Sequence, residues 1–235
     1  AGGTVDFFIH PGARLESGAW AAFRQRGNAR TTTTVLGGRH TLADLMLKDG
    51  NADGGSTWFV LTNDAAVAVR GSLQLGARSD RFQNGLSHGL LDLFGTSRME
   101  VTNAAYLGVG SNAVGRLTVQ DDGRFACGGV LKLGSGPYAT GVMTVKDRGR
   151  VTCGLKTGNW LTLATGAESA FGRLEMADDA VLTLGDGACV EMTYGSAAAR
   201  AEKRSRKRWC GCAMSRRISA LPTPTGRALK KSSPP

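Results

Sequence analysis

The chain has 235 residues, 41% hydrophobic, with 34 Gly and 6 Pro. That is enough apolar material for a sizeable core, and too little Gly and Pro for a low-complexity chain. No run of 18 apolar residues occurs, which excludes a helical membrane span. The net charge of +10 does not describe a basic protein, because residues 200–235 hold 11 Lys and Arg against one acid, Glu202. That leaves 18 of the 29 basic and 18 of the 19 acidic residues in a neutral body.

The chain opens at Ala1 without a basic-then-apolar leader, as expected of a mature form or a fragment. Its first recognisable unit is "VDFFIHPGARLESG" (5–18), where Phe7, Ile9 and Leu15 occupy alternating positions. A worn copy, "TTTTVLGGRHTLAD", follows at 31–44. Locally, "HTLADLMLKDG" (40–50) admits a helical reading that does not extend. Clearer copies are "TWFVLTNDAAVAVR" (57–70), "GLLDLFGTSRMEVT" (89–102), "GRLTVQDDGRFACG" (115–128), "GVMTVKDRGRVTCG" (141–154) and "GRLEMADDAVLTLG" (172–185). The clear starts lie 52, 32, 26, 26 and 31 residues apart, and the first gap is two periods of 26. The longer gaps fit insertions in turns, such as "LKTG" at 155–158.

Within a unit, apolar and polar residues alternate with period two, the pattern of a strand. The break between the two alternating runs is "QDDG", "KDRG" or "NDAA", rich in residues that turns favour. A third run follows in "SLQLG" (72–76), "AYLGVG" (105–110), "VLKLG" (130–134) and "WLTLA" (160–164). Each repeat therefore carries three short strands, and a unit that small must bury its apolar face on its neighbours. The expected fold is all-β, a right-handed parallel β-helix with rungs of about 26 residues. Its core ladders would be Phe59, Leu91, Leu117, Met143 and Leu174, and Val67, Met99, Phe125, Val151 and Leu182. A propeller needs blades of about 40–45 residues, and a leucine-rich repeat needs an Asn or Cys ladder that is missing. The solenoid is expected over 1–195. The stretch 196–235 is expected to be a basic, disordered tail with at most a short helix near 197–209.

At "LGVGSNAVGRLTVQDDGRFACG" (107–128) and "LKLGSGPYATGVMTVKDRGRVTCG" (131–154) the sequence resembles the repeats of bacterial autotransporter passengers and the related type V secretion and PEP-CTERM-associated family. The resemblance implies a non-catalytic module, secreted or held at the bacterial outer membrane. It implies a structural or adhesive role, with contacts to a host surface, matrix or polysaccharide. No translocator barrel, hydrophobic anchor or signal peptide is recognisable in the sequence, and the family has no catalytic residues to transfer.

Several residues carry possible chemistry. Asp121, Asp147 and Asp178 should stack along one edge, as should Asp122, Arg148 and Asp179, and a carboxylate ladder could bind calcium. The preferred reading is that Asp suits these turns, with Arg148 offsetting repulsion between Asp122 and Asp179. Cys127 and Cys153 fall at equivalent places in consecutive rungs. They could form a disulfide, but the preferred reading is a pair of small core residues, as Val69, Val101 and Leu184 fill the same slot. His10 and His88 read as solvated turn residues, and His40 shares no metal spacing with them. "GVGSNAVG" (108–115) lies between strands without the helix a phosphate loop needs. Trp58 and Trp160 do not share a ladder. Nucleic-acid binding would be confined to the tail, where "CGC" has too few ligands for zinc. No catalytic, cofactor-binding or metal-ligating residue is assigned. The competing function is a polysaccharide lyase or glycoside hydrolase on the same fold, which requires acids converging in a groove.

Overall fold

The computed structural model describes residues 3–25, 29–49, 55–77, 87–154, 160–165, 170–186, 189–192 and 200–205. These form strands and turns, with no α-helix among them. The first coil holds β1 (Thr4–Ile9) and β2 (Trp20–Gln25), and the second β3 (Arg30–Val35), β4 (Arg39–Leu42) and β5 (Asp44–Asp49). The third holds β6 (Ser56–Leu61), β7 (Ala66–Val69) and β8 (Leu73–Ala77), and the fourth β9 (Ser87–Leu93), β10 (Arg98–Val101) and β11 (Ala105–Val109). Then come β12 (Ala113–Val119), β13 (Arg124–Cys127) and β14 (Leu131–Ser135), followed by β15 (Thr140–Val145), β16 (Arg150–Cys153) and β17 (Trp160–Thr165). The seventh coil is β18 (Phe171–Met176), β19 (Val181–Leu184) and β20 (Cys189–Met192), and β21 (Arg200–Ser205) starts an eighth.

Each strand pairs in parallel with its equivalents in the adjacent coils, giving three sheets of eight, six and seven strands. This is the right-handed parallel β-helix the repeats predict. The register is the predicted one. Phe59 lies on Leu91, Leu91 on Leu117, Leu117 on Met143, and Met143 on Leu174. The second ladder, Val67, Met99, Phe125, Val151 and Leu182, is equally continuous. The first ladder is buried throughout, as is the second down to Val151. Leu182 is only partly buried, in the last described strand of the six-stranded sheet. Burying each such side chain contributes roughly 1.5–3 kcal/mol, which a single coil could not gain alone.

The glycine that opens the repeat has a separate cause. Gly115 and Gly141 sit where a first strand passes the ends of the third strands of the two preceding coils. A Cβ on Gly115 would collide with the backbone nitrogen of Gly108, and one on Gly141 with that of Gly134. Gly108 and Gly134 are themselves left-handed, at φ 72 and 73, where an L side chain is strained. The corner between the seven- and eight-stranded sheets thus needs glycine on both sides.

Four expectations are corrected. A gapless copy at 31–44 would place Thr41 on Val67, but the turn after Val35 is one residue shorter and His40 occupies that position. Phe7, assigned to the apolar face, is 52% exposed because β1 ends its sheet and only Thr33 stacks on it. Residues 200–205 are neither disordered nor helical, because β21 pairs with β18 from Phe171–Arg200 to Met176–Ser205. Sheet pairing therefore runs past residue 195. The local helical reading of 40–50 also gives way, to β4 and β5. The insertion at 155–158 and residues 206–235 lie outside the described residues.

Candidate functional site

The aspartate turns form one edge of the solenoid. Asn63, Asp121, Asp147 and Asp178 all adopt left-handed conformations, at φ 55 to 57, with Gly95 at φ 63 among them. Asn and Asp tolerate this conformation best after glycine. The carboxylates are also occupied. Asp121 Oδ2 accepts the Gly95 N–H at 3.0 Å, Asp147 Oδ2 the Asp121 N–H at 3.4 Å, and Asp178 Oδ2 the Asp147 N–H at 3.4 Å. Each side chain thus ties its turn to the one before. No group of three or more His, Cys, Asp or Glu side chains able to hold a metal ion occurs among the described residues.

This arrangement separates shape from charge. Asp147→Asn keeps an acceptor and the left-handed preference, and should change stability by less than about 0.5 kcal/mol. Asp147→Ala loses both and should cost about 1–2 kcal/mol. Urea unfolding of the two variants checks the difference.

Beside that edge, Asp122 and Arg148 form a two-pronged ion pair, with Nε–Oδ1 at 2.8 Å and Nη2–Oδ2 at 2.7 Å. The Arg148 hydrogen bonds, with help from Arg124 and Arg150, hold the Asp122 carboxyl below its ordinary pKa. Asp122 in turn raises Arg148. Arg148 therefore pairs with Asp122 and also feels Asp121 and Asp147, whereas the expected link to Asp179 is not seen among the described residues and Asp179 is exposed. Solvent screens the pair, so it orders the turn more than it stabilises the fold.

Cys127 and Cys153 are register partners in the core and are not joined by a disulfide. Burial, and secondarily Cys127, pushes the Cys153 thiol up to about 12. It is a protonated packing group, with Val69, Val101 and Leu184 in the same ladder. A folded pKa above the unfolded value near 8.5 means the contribution is complete below about pH 8.5 and is lost as pH rises towards 12. Wild type should lose stability faster than Cys153→Ala between pH 9 and 12, by about 1.4 kcal/mol per pH unit. Urea titration of both proteins across that range checks it. Iodoacetamide should alkylate Cys153 only after unfolding.

The histidines are placed differently from one another. His10 is exposed after β1. His88 is in a strand rather than a turn, half-buried between Ser56 and Val114. His40 is 2% exposed. Its Nδ1 accepts the Leu15 N–H at 3.1 Å, and its Nε2 lies 2.9 Å from the Gly37 carbonyl. Those partners require the proton on Nε2, so His40 is a hydrogen-bonded core residue. Trp58 and Trp160 lie in different sheets. Trp58 donates to Asp92 Oδ2 at 2.6 Å and lies under the Arg30 guanidinium, 3.9 Å away. Residues 108–115 run from β11 through a turn into β12.

Among the described residues, a column of charge without partners lies on the six-stranded sheet, and the apolar pattern does not reveal it. Arg98 lies on Arg124 and Arg124 on Arg150. All three point outward and are exposed, while Met99, Phe125 and Val151 between the columns point inward. Arg39 continues the column beyond Ala66, and Arg70 is exposed at the end of β7. Glu100 is the sole acid in the sheet's strands. Between Arg39 and Arg98, the small side chains of Ala66 and Ala68 leave a notch of about 310 Å³, which Glu100 also borders. The signal was available, since Arg98, Arg124 and Arg150 recur at the 26-residue period.

The fold defines the chain as a parallel β-helix solenoid. Comparison with family models, with curated proteins and with solved structures found no match.

Proposed function

We propose that this chain is a rigid, non-catalytic scaffold of a secreted or cell-surface protein, holding its outer faces and turns at fixed spacing for contact with a partner. The observation that carries the reading is the use of its reactive groups. Asp121, Asp147 and Asp178 are bonded to backbone amides of neighbouring turns, Asp122 to Arg148, and the Cys153 thiol is held protonated in the core. Paired carboxylates set to flank a sugar bond would be the mark of a glycosidase, whereas these serve the stack. The surface location and adhesive role rest on the resemblance of residues 107–154 to autotransporter passenger repeats.

The test is mechanical and chemical together. Pulled from its ends, the solenoid should unfold in steps of one or a few coils at high force, and incubation with a panel of polysaccharides should release no reducing ends. Release of reducing or unsaturated ends would favour the carbohydrate-active enzyme. Unfolding at negligible force would remove the scaffold role.

A further inference from the structure

We infer that the outer face of the six-stranded sheet binds a linear polyuronate, laid along the solenoid axis with its carboxylates on the arginine column. Three observations converge. First, the column is built by the fold: Arg98, Arg124 and Arg150 repeat once per coil, in register, and Arg39 stands two coils before Arg98. Adjacent strands lie about 4.8 Å apart, and an extended polysaccharide advances by about one such step per sugar. Carboxylates one or two sugars apart therefore meet arginines one or two coils apart.

Second, these guanidinium groups have no hydrogen bond or ion pair among the described residues, unlike Arg14, Arg148 and Arg173, which bind Glu16, Asp122 and Glu175. Like charges set directly opposite one another on neighbouring strands repel, so the column does not serve stability. Asp122 offsets Arg124 and Arg150 only from the edge. Guanidinium pairs with carboxylate through two parallel hydrogen bonds, the geometry a uronate offers.

Third, the floor beside the column is low. Ala68, Ala126 and Thr152 fill the adjacent outward positions, with Glu100 the exception, and the notch at Ala66 and Ala68 admits a sugar ring between Arg39 and Arg98. The described strands of this face carry no outward aromatic on which bases could stack, which favours a polysaccharide over a single-stranded nucleic acid.

The inference names a ligand for one face of the proposed scaffold and does not depend on that scaffold being inert. The probe is a fluorescently labelled hexamer of galacturonate, titrated at low salt into the full chain by polarisation. The triple variant R98Q/R124Q/R150Q should lose affinity by about tenfold or more, with an unchanged circular dichroism spectrum and a melting temperature no lower than wild type. A charge-matched control, R206Q/K207Q/R208Q, should keep most of the affinity. Equal losses in both variants would show simple attraction to net charge and overturn the inference, as would no loss in the face variant. Binding of single-stranded DNA more tightly than the hexamer, abolished by the same triple substitution, would overturn the polyuronate assignment in favour of nucleic acid. Cleavage of the hexamer by wild type would leave this inference standing and remove the non-catalytic reading.

Discussion

Leu117→Asp should leave the solenoid unable to fold as one cooperative unit. Leu117 is 1% exposed and lies between Leu91 and Met143. Truncating a buried leucine alone costs about 2–5 kcal/mol through lost transfer energy and the cavity left behind. A carboxylate there adds several kcal/mol more, since its register neighbours Leu91 and Met143 are apolar and the group must stay charged without a partner or bind a proton. The sum approaches the whole stability of an ordinary domain, about 5–15 kcal/mol. Leu117→Met is the matched control. Methionine already fills the equivalent position at Met143, so that swap should cost less than about 1.5 kcal/mol. Urea unfolding followed by circular dichroism distinguishes them. An Leu117→Asp protein with the wild-type midpoint would mean that Leu117 does not face a dry interior.

Gly141→Val should be nearly as damaging, by another route. The new Cβ would collide with the Gly134 nitrogen, the Leu107 oxygen and the Leu133 carbonyl carbon, all backbone atoms. No rotamer relieves a clash at Cβ, so the corner between two sheets must move, and the parallel pairings of β15 with β12 and β18 move with it. The expected loss is about 3 kcal/mol or more, at the upper end of overpacking. Gly18→Ala should be nearly silent, because nothing lies within 4 Å of the added Cβ. The same urea experiment reads both. Similar midpoints for Gly141→Val and wild type would rule out the close corner.

What was legible in the sequence follows from which forces leave a periodic mark. Core ladders do, because every coil meets the same dry interior, and even the worn copy at 31–44 kept enough of Thr33 and Val35 to mark its first strand. The turn aspartates were legible as turn formers. Their bonds to amides one coil away were not, since turn preference is local and these contacts span 26 or 31 residues. His40 was hidden by the shortened turn and by its chemistry: a polar ring stands in an apolar ladder only because Leu15 and Gly37 satisfy both nitrogens. The tail's charge masked β21, whose pairing is a backbone property that composition reports poorly. The arginine column was periodic but lay on the outward positions, which hydrophobic alternation treats as interchangeable.

The most direct measurement is a ruler along the axis. Spin labels carried on non-natural residues at Thr41 and, in turn, at Ala126, Thr152 and Thr183 would sit in one outward column, three, four and five coils apart. In-register stacking predicts separations of about 14, 19 and 24 Å, rising by one strand spacing per coil. Distances that fail to rise in that order, or that scatter broadly, would contradict the stacked coil itself.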